Sequence, residues 1–252
     1  MTAAAKDTKR FGLVGKRLDY SFSKSYFEKQ YHNIYTSPAL YDNYELPEAG
    51  MILQLVEEQH LDGLNITIPY KETIIPFLDR LSDEATAIGA VNTLKIKHIG
   101  KHIFIEGHNT DVLGFESCVK DTIDGHSKAL VLGTGGAAKA VAYVLRKHGL
   151  EITFVSRKKQ GGHIINYDQL SDSTARKHTL IVNATPIGTL GCDDELEIPY
   201  NAITPNHFCI DLVYNPSETQ FMKECHNRGA TVKNGLEMLH RQAEESWKIW
   251  NT

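Results

Sequence analysis

The sequence predicts an α/β protein of two lobes, and three observations carry that expectation. Strand-patterned segments alternate with helix-patterned ones up to about residue 110, the pattern of a mostly parallel sheet. A Gly-rich turn, Gly133-Thr134-Gly135-Gly136-Ala137-Ala138, lies between an apolar run and a helix-patterned stretch, as in a doubly wound nucleotide-binding lobe. Between the two regions stands Asp124-Gly125, a turn signal and candidate junction.

In chain order, Arg10 to Val14 reads as a strand, Ser23 to Tyr35 as a helix, and Tyr41 to Leu46 as a strand. Pro47 to Gln59 reads as a helix opening on proline, whose missing N–H costs nothing in a first turn. Leu64 to Ile68 is the next strand, followed by a helix from about Lys71 to Arg80. Strands over Asn92 to Lys97 and His102 to Glu106 come next, then a helix from about Val112 to Ile123. Past the junction, Lys128 to Leu132 reads as a strand, Ala140 to His148 as a helix, and Glu151 to Val155, Leu180 to Val182 and Cys209 to Val213 as strands. The tail, Leu236 to Trp250, is helical in pattern. No internal repeat or low-complexity segment interrupts this order.

The Gly-rich turn has the form of a phosphate cradle. Glycines at its first and third positions allow a tight turn and close backbone approach to a pyrophosphate, and Ala138 is small enough for helix–strand packing. The helix N-terminus that follows offers unpaired N–H groups and the positive end of a dipole to an anion. One strand later, Ser156-Arg157-Lys158 stands where an NAD-binding protein carries an acid for the ribose 2′-hydroxyl. A hydroxyl and two cations suit a 2′-phosphate instead, since a guanidinium makes paired, charge-assisted bonds to phosphate oxygens. NADP is therefore the expected cofactor.

Composition excludes other classes. The 252 residues, 41% of them hydrophobic, suffice for one large or two modest cores. A net charge of -4 and a pI near 6.3 give no reason to expect nucleic acid or an anionic membrane as partner. Cys118, Cys192, Cys209 and Cys225 lack metal-ligand spacing and read as reduced thiols, so no metal is expected. The longest apolar run, Ala140 to Leu145, is too short to span a bilayer, and Met1-Thr2-Ala3-Ala4-Ala5-Lys6 lacks a signal peptide's apolar stretch. A cytoplasmic location follows as the expectation, and the glycosylation-like patterns at Asn65 and Asn183 are discounted with it.

The first lobe carries acid–base candidates. In Leu64-Asn65-Ile66-Thr67-Ile68, strand alternation places the three aliphatics on one face and Asn65 and Thr67 on the other. Pro69 ends the strand, and Lys71 falls at the start of the next helix, beyond the strand's carboxyl end, where open α/β sheets bind ligands. A helix N-terminus repels cations, so a lysine there suggests an anionic partner or proton transfer, although a plain surface lysine fits the segment as well. In Gly107-His108-Asn109-Thr110-Asp111, Thr110 or Asp111 can cap the following helix, and Asp111 can also act on a lysine. His108 reads as a non-catalytic turn residue.

Taken together, these residues resemble the shikimate dehydrogenase family nearly end to end. Ser21-Phe22-Ser23 is similar to its Ser-x-Ser motif, and Asn65 to Lys71 to its Asn-x-Thr-x-Pro-x-Lys segment. Gly89 to Thr93, Asn109-Thr110-Asp111, Asn183 to Pro186, Asp211 to Pro216, and Asn234-Gly235-Leu236 with Gln242 match further motifs. The resemblance implies reversible NADP-linked reduction of 3-dehydroshikimate to shikimate, in aromatic amino-acid biosynthesis. It assigns Ser21, Ser23 and Tyr214 to the substrate carboxylate, and Asn65, Thr67, Asn92 and Gln242 to the ring hydroxyls. Lys71 and Asp111 handle the proton at the reacting oxygen. Cofactor contacts are implied at Gly133, Thr134, Gly135, Gly136, Ala137, Ser156, Arg157, Lys158, Thr185, Leu212, Gly235 and Met238, with Asp83 a further candidate. The implied fold is a substrate-binding α/β domain of residues 1–111, completed by C-terminal helices 231–252, and a Rossmann-like NADP-binding domain of residues 112–230. The implied active site lies in the cleft between them, in a monomer or homodimer.

Each assigned residue also has an ordinary reading: Ser21 and Ser23 as helix caps, Tyr214 as a packed turn aromatic, Gln242 as a solvated helix residue, Met238 as core. Three stretches depart from the family pattern. Lys24 to Lys29 replace a proline and a His-Asn pair, Ser156-Arg157-Lys158 stands for Asn-Arg-Thr, and Glu237 replaces a glycine, for which the sequence offers no physical account. Two alternatives stay open, a quinate/shikimate dehydrogenase that uses NAD or a broader substrate range, and a non-catalytic sensor of shikimate-pathway metabolites.

Overall fold

A computed structural model describes residues 8–18, 23–34, 39–158, 161–192 and 194–252. The chain divides into two compact units, one running up to Thr110 and resumed at Ala243–Thr252, the other Asp111–Gln242.

The first unit contains β1 (Lys9–Gly15), α1 (Ser23–Ile34), β2 (Ala39–Glu45), α2 (Ile52–Gln59), β3 (Gly63–Ile66), α3 (Tyr70–Thr73), β4 (Arg80–Leu81), α4 (Asp83–Ile88), β5 (Thr93–Ile99) and β6 (His102–His108). Among the described residues its sheet is six-stranded, in the order β2-β1-β3-β5-β6-β4. β1 runs parallel to β2 and β3, and β4 to β6, whereas β5 is antiparallel to both β3 and β6. The reversal is local in origin. Only Gly100-Lys101 joins β5 to β6, with Gly100 at φ 63°, and a two-residue link permits only an antiparallel hairpin.

Alternation along the strands sorts the two faces. Val14, Leu64, Ile66, Leu94 and Ile105 bury against Ile52 and Val56 of α2. Phe11, Leu13, Phe27 and Tyr41 form the opposite face with Trp247 and Trp250. There Phe11 stacks on Trp250 at 4.5 Å between ring centroids, and the Trp250 indole N–H donates to the Leu94 carbonyl at 2.9 Å. Such ring pairs are worth about 0.5–1.5 kcal/mol beyond their area.

Three expectations for this unit need correction. The helix expected from Lys71 to Arg80 is a single turn, α3, followed by a 3₁₀ turn at Ile75–Phe77 and the short strand β4. Pro76 lacks the N–H a continuing helix needs and clashes with the preceding turn. Ile68 does not share the buried face of Leu64 and Ile66: the strand ends at Ile66, and Ile68 is 54% exposed. His108 is the last residue of β6 rather than part of a turn. The helix α4 escaped the sequence reading although its signals were present: Ser82 Oγ accepts from the Ala85 N–H, and Gly89 ends the helix at φ 68°.

The second unit contains α5 (Asp111–Val119), β7 (Lys128–Leu132), α6 (Gly136–Lys147), β8 (Glu151–Val155), β9 (Ile164–Ile165), α7 (Asp172–Lys177), β10 (Leu180–Asn183), β11 (Phe208–Asp211), α8 (Gln220–His226), β12 (Thr231–Asn234) and the start of α9 (Leu236–Trp250). Its described strands form a six-stranded, wholly parallel sheet in the order β9-β8-β7-β10-β11-β12. Counted from β7, that is the 3-2-1-4-5-6 order of the dinucleotide-binding fold, with its switch point between β7 and β10. The central strands are buried and nearly continuous in apolar residues, as in a parallel sheet covered on both faces, with Lys128 at the start of β7 and Asn183 and Asp211 at the ends of β10 and β11. α7 and α8, six and seven residues long, are too short to show a helical period, and α6 begins four residues before the expected Ala140, directly at the Gly-rich turn.

Candidate active site and nucleotide site

In the first unit, Thr67 and Lys71, both candidates from sequence, follow the end of β3. Thr67 N–H donates to the Val14 carbonyl, Tyr70 N–H to the Thr67 carbonyl, and Lys71 follows as the second residue of α3, half-buried. The Lys71 carbonyl accepts from Val91 N–H at 2.7 Å, tying the lysine's backbone to the segment that carries Asn92.

Asn65, on the other face of β3 as its alternation requires, is 4% exposed and heads a buried polar network. Its Oδ1 accepts from the Tyr41 hydroxyl at 2.9 Å, and its Nδ2 donates to Ser246 Oγ at 2.9 Å and Thr93 Oγ1 at 3.3 Å. Asn92 Nδ2 donates to Thr110 Oγ1 at 3.0 Å, and Asn92 Oδ1 accepts from Thr110 N–H at 2.7 Å. Asn92 thereby holds the chain at Thr110, one residue before Asp111. Tyr41, Thr93 and Ser246 were missed from sequence; the signal for Ser246 was its spacing of four from Gln242.

The remaining first-unit candidates lie on other elements. Ser23 opens α1, and Asp83 lies in the first turn of α4, where a carboxylate favours the helix dipole. Ser21 falls outside the described residues. Lys24, one of the departures from the family pattern, pairs with Asp42 of β2 at 2.6 Å.

In the second unit, Asp111 is the first residue of α5 and 4% exposed. Gly133 takes φ 102°, its N–H donates to the Val155 carbonyl at 2.8 Å, and an added Cβ would press on Ala184 at 3.1 Å. Thr134 and Gly135 lead directly into α6, which opens on Gly136 and Ala137; its N-cap, Gly135, makes no side-chain cap bond and its first turn carries no acid. Such a helix start suits an anion. Ser156, Arg157 and Lys158 follow β8, with Arg157 and Lys158 exposed. The Arg157 guanidinium Nη1 donates to Asp194 Oδ2 at 2.8 Å.

Across the switch point, a buried polar network organises the ends of β10 and β11. Asn183 Oδ1 accepts from Thr185 N–H at 3.0 Å and Thr185 Oγ1 at 2.7 Å, while Asn183 Nδ2 donates to Asp211 Oδ1 at 2.9 Å and to the Ile187 carbonyl at 3.0 Å. Asp211 also accepts from Val213 N–H at 3.0 Å and Thr219 Oγ1 at 2.6 Å. Leu212 N–H donates to the Asn183 carbonyl and Gly235 N–H to the Val213 carbonyl, and a Cβ at Gly235 would strike the Leu212 carbonyl. Thr185, Leu212 and Gly235 are thus brought together, with the half-buried Tyr214 two residues beyond Leu212. Met238 is buried in α9 against Gly114 of α5. Half-buried Gln242 donates to the Leu239 carbonyl. Glu237, unexplained from sequence, has a local reason: it lies in the first turn of α9 and pairs with Lys233 at 2.8 Å.

Burial pushes the Asp211 carboxyl up from its ordinary 3.8 to about 6, against the opposing hydrogen bonds from Thr219, Val213 and Asn183. The folded chain therefore holds this proton more tightly than the unfolded chain. Stability from this group is fully present below pH 3.8 and lost as pH rises through about 6. Asp211→Asn removes the titration. The unfolding free energy of the variant relative to the parent should rise by about 2 kcal/mol between about pH 4 and about pH 7. Denaturant titrations across that range check it, and a pH-independent difference would mean that Asp211 titrates alike in both states.

Among the described residues, no helix is long and apolar enough to cross a membrane, and the four cysteines are free thiols.

Residues 13–94 match the family model described as the shikimate dehydrogenase substrate binding domain. A shikimate dehydrogenase (NADP(+)) of Staphylococcus epidermidis is 33% identical over 96% of this chain and 91% of its own. The crystal structure of shikimate dehydrogenase 1 from Peptoclostridium difficile superposes with a TM-score of 0.83 at 32% identity, covering 96% of this chain and 91% of that one. A shikimate 5-dehydrogenase from Thermus thermophilus, solved in complex with NADP(H) and shikimate, gives 0.82 at 31%, covering 96% and 93%.

Proposed function

The chain belongs to the shikimate dehydrogenase family, and on that premise we propose that it catalyses the reversible NADPH-dependent reduction of 3-dehydroshikimate to shikimate, a step of the shikimate pathway toward chorismate and the aromatic amino acids. One observation carries this reading most directly. The Gly133 turn opens an uncapped helix at the switch point of a 3-2-1-4-5-6 sheet, and the adjacent strand ends in Ser156-Arg157-Lys158 rather than in an acid.

The residues fit NADP: the turn and α6 take the pyrophosphate, Arg157 and Lys158 the 2′-phosphate, and Thr185, Leu212, Gly235 and Met238 border the nicotinamide end. When bound, the nicotinamide supplies the hydride that reduces the ring carbonyl. Lys71 donates the proton to the oxygen that becomes the alkoxide and takes it back in the oxidative direction. Asp111 accepts from a substrate hydroxyl and so orients the ring. Ser21, Ser23 and Tyr214 present hydroxyl donors to the carboxylate, while Asn65, Thr67, Asn92 and Gln242 surround the ring hydroxyls. The Asn65 and Asn92 networks support these roles because they fix the ends of β3 and β6. The enzyme works in the cytoplasm as a monomer or homodimer, which size-exclusion chromatography with light scattering measures.

The test is absorbance at the reduced-nicotinamide band with purified protein, comparing shikimate and quinate, each with NADP and NAD. Rapid reduction confined to shikimate with NADP is the expected result. Comparable rates with quinate or NAD would make the chain a quinate/shikimate dehydrogenase. No turnover with shikimate bound would make it a sensor.

A further inference from the structure

We propose that Asp194 is a cofactor-specificity residue, competing with the 2′-phosphate of NADP for the Arg157 guanidinium and tilting the site toward the unphosphorylated cofactor. This inference rests on the NADP reading above.

Its starting point is topology. β10 and β8 lie on opposite sides of β7, so the segment after β10 that carries Asp194 reaches past the switch point to a residue at the end of β8. That is the edge along which a dinucleotide lies in this sheet order. Arg157 Nη1 and Asp194 Oδ2 meet at 2.8 Å with the two side chains 65% and 56% exposed, so solvent and ligand reach both. An exposed pair of this kind is weak and exchangeable. Asp194 also lies in the acidic stretch Asp193-Asp194-Glu195-Leu196-Glu197.

The consequences differ for the two cofactors. A 2′-phosphate, close to a dianion, must take the guanidinium from the carboxylate and then remain beside it, so Asp194 opposes NADP both by occupying a donor and by repulsion. A ribose 2′-hydroxyl is neutral and can donate to a carboxylate, the role an acid after the second strand plays in NAD-binding folds. Here Ser156 stands at that place, and Asp194 supplies the missing acid from the other side of the switch point.

The test is calorimetric titration of the full chain with NADP+ and with NAD+. Asp194→Asn should tighten NADP+ by about three- to tenfold and leave NAD+ unchanged or weaker. In an Arg157→Ala background the same substitution should lose most of its effect on NADP+. If Arg157→Ala weakens NADP+ but Asp194→Asn leaves it unchanged, the competition does not exist. If Asp194→Asn weakens NADP+, the carboxylate holds the guanidinium in place for the phosphate, which also overturns the proposal. If Arg157→Ala itself leaves NADP+ affinity unaltered, the assignment of the 2′-phosphate to Arg157 fails, and this inference falls with it.

Discussion

Lys71→Ala is expected to lower turnover by about 10²–10⁴-fold, the usual worth of a positioned acid–base group, while shikimate binding weakens by less than about tenfold. The asymmetry follows from where the lysine sits. Its backbone is fixed independently of its side chain, by the Val91 N–H on its carbonyl and by the buried Tyr70 beside it. Truncation therefore removes the ammonium without releasing the loop. The carboxylate and ring-hydroxyl contacts proposed at other residues remain to bind substrate. Steady-state kinetics paired with a direct shikimate titration measure the two quantities separately. Equal losses in turnover and binding would make Lys71 a binding residue and return the proton to another group.

Replacing both Arg157 and Lys158 by alanine is the second large effect: NADP+ affinity should fall by about a hundredfold, with NAD+ changing by less than about threefold. Each charge-assisted bond to a phosphate oxygen is worth about 1.5–3 kcal/mol, and NAD has no phosphate there to lose. Both side chains are exposed, and their removal opens no cavity, so the fold is expected to survive. Parallel titrations with the two cofactors read the result. A uniform loss for both would place the pair at the shared pyrophosphate instead, and an unchanged preference would remove it from the cofactor altogether.

Legibility from sequence followed the range of the interactions involved. The Gly-rich turn could be read because its determinants are contiguous: Gly133 has no Cβ to strain at φ 102°, and the strand and helix flank it directly. Asn65 could be assigned to the face opposite Leu64 and Ile66 because pleating alone decides it. The helix beyond Lys71 was overextended because the reading followed its apolar spacing and passed over Pro76. Asp211 appeared only as a member of a motif. Its elevated pKa comes from burial, against the hydrogen bond that Asn183 donates to it, and neither the burial nor that partner is local. Asp194 was invisible for the same reason, since its partner lies 37 residues earlier and the two meet only through the strand order. Ser246 is a serine like any other until α9 is laid against β3 and β5.

The division of α9 bears on the order in which this protein can be made. Phe11, Phe27 and Tyr41 precede the second unit along the chain, yet the face they form is closed by Ala243, Trp247 and Trp250, which follow it. The stretch from Asp111 to Gln242 is contiguous, so its sheet can complete on the nascent chain as a unit. The first-made lobe therefore finishes second. Until the turns that carry Ala243 to Trp250 arrive it presents an open aromatic surface, and a fragment ending at Thr110 should never acquire the covered form, however long it is given to fold.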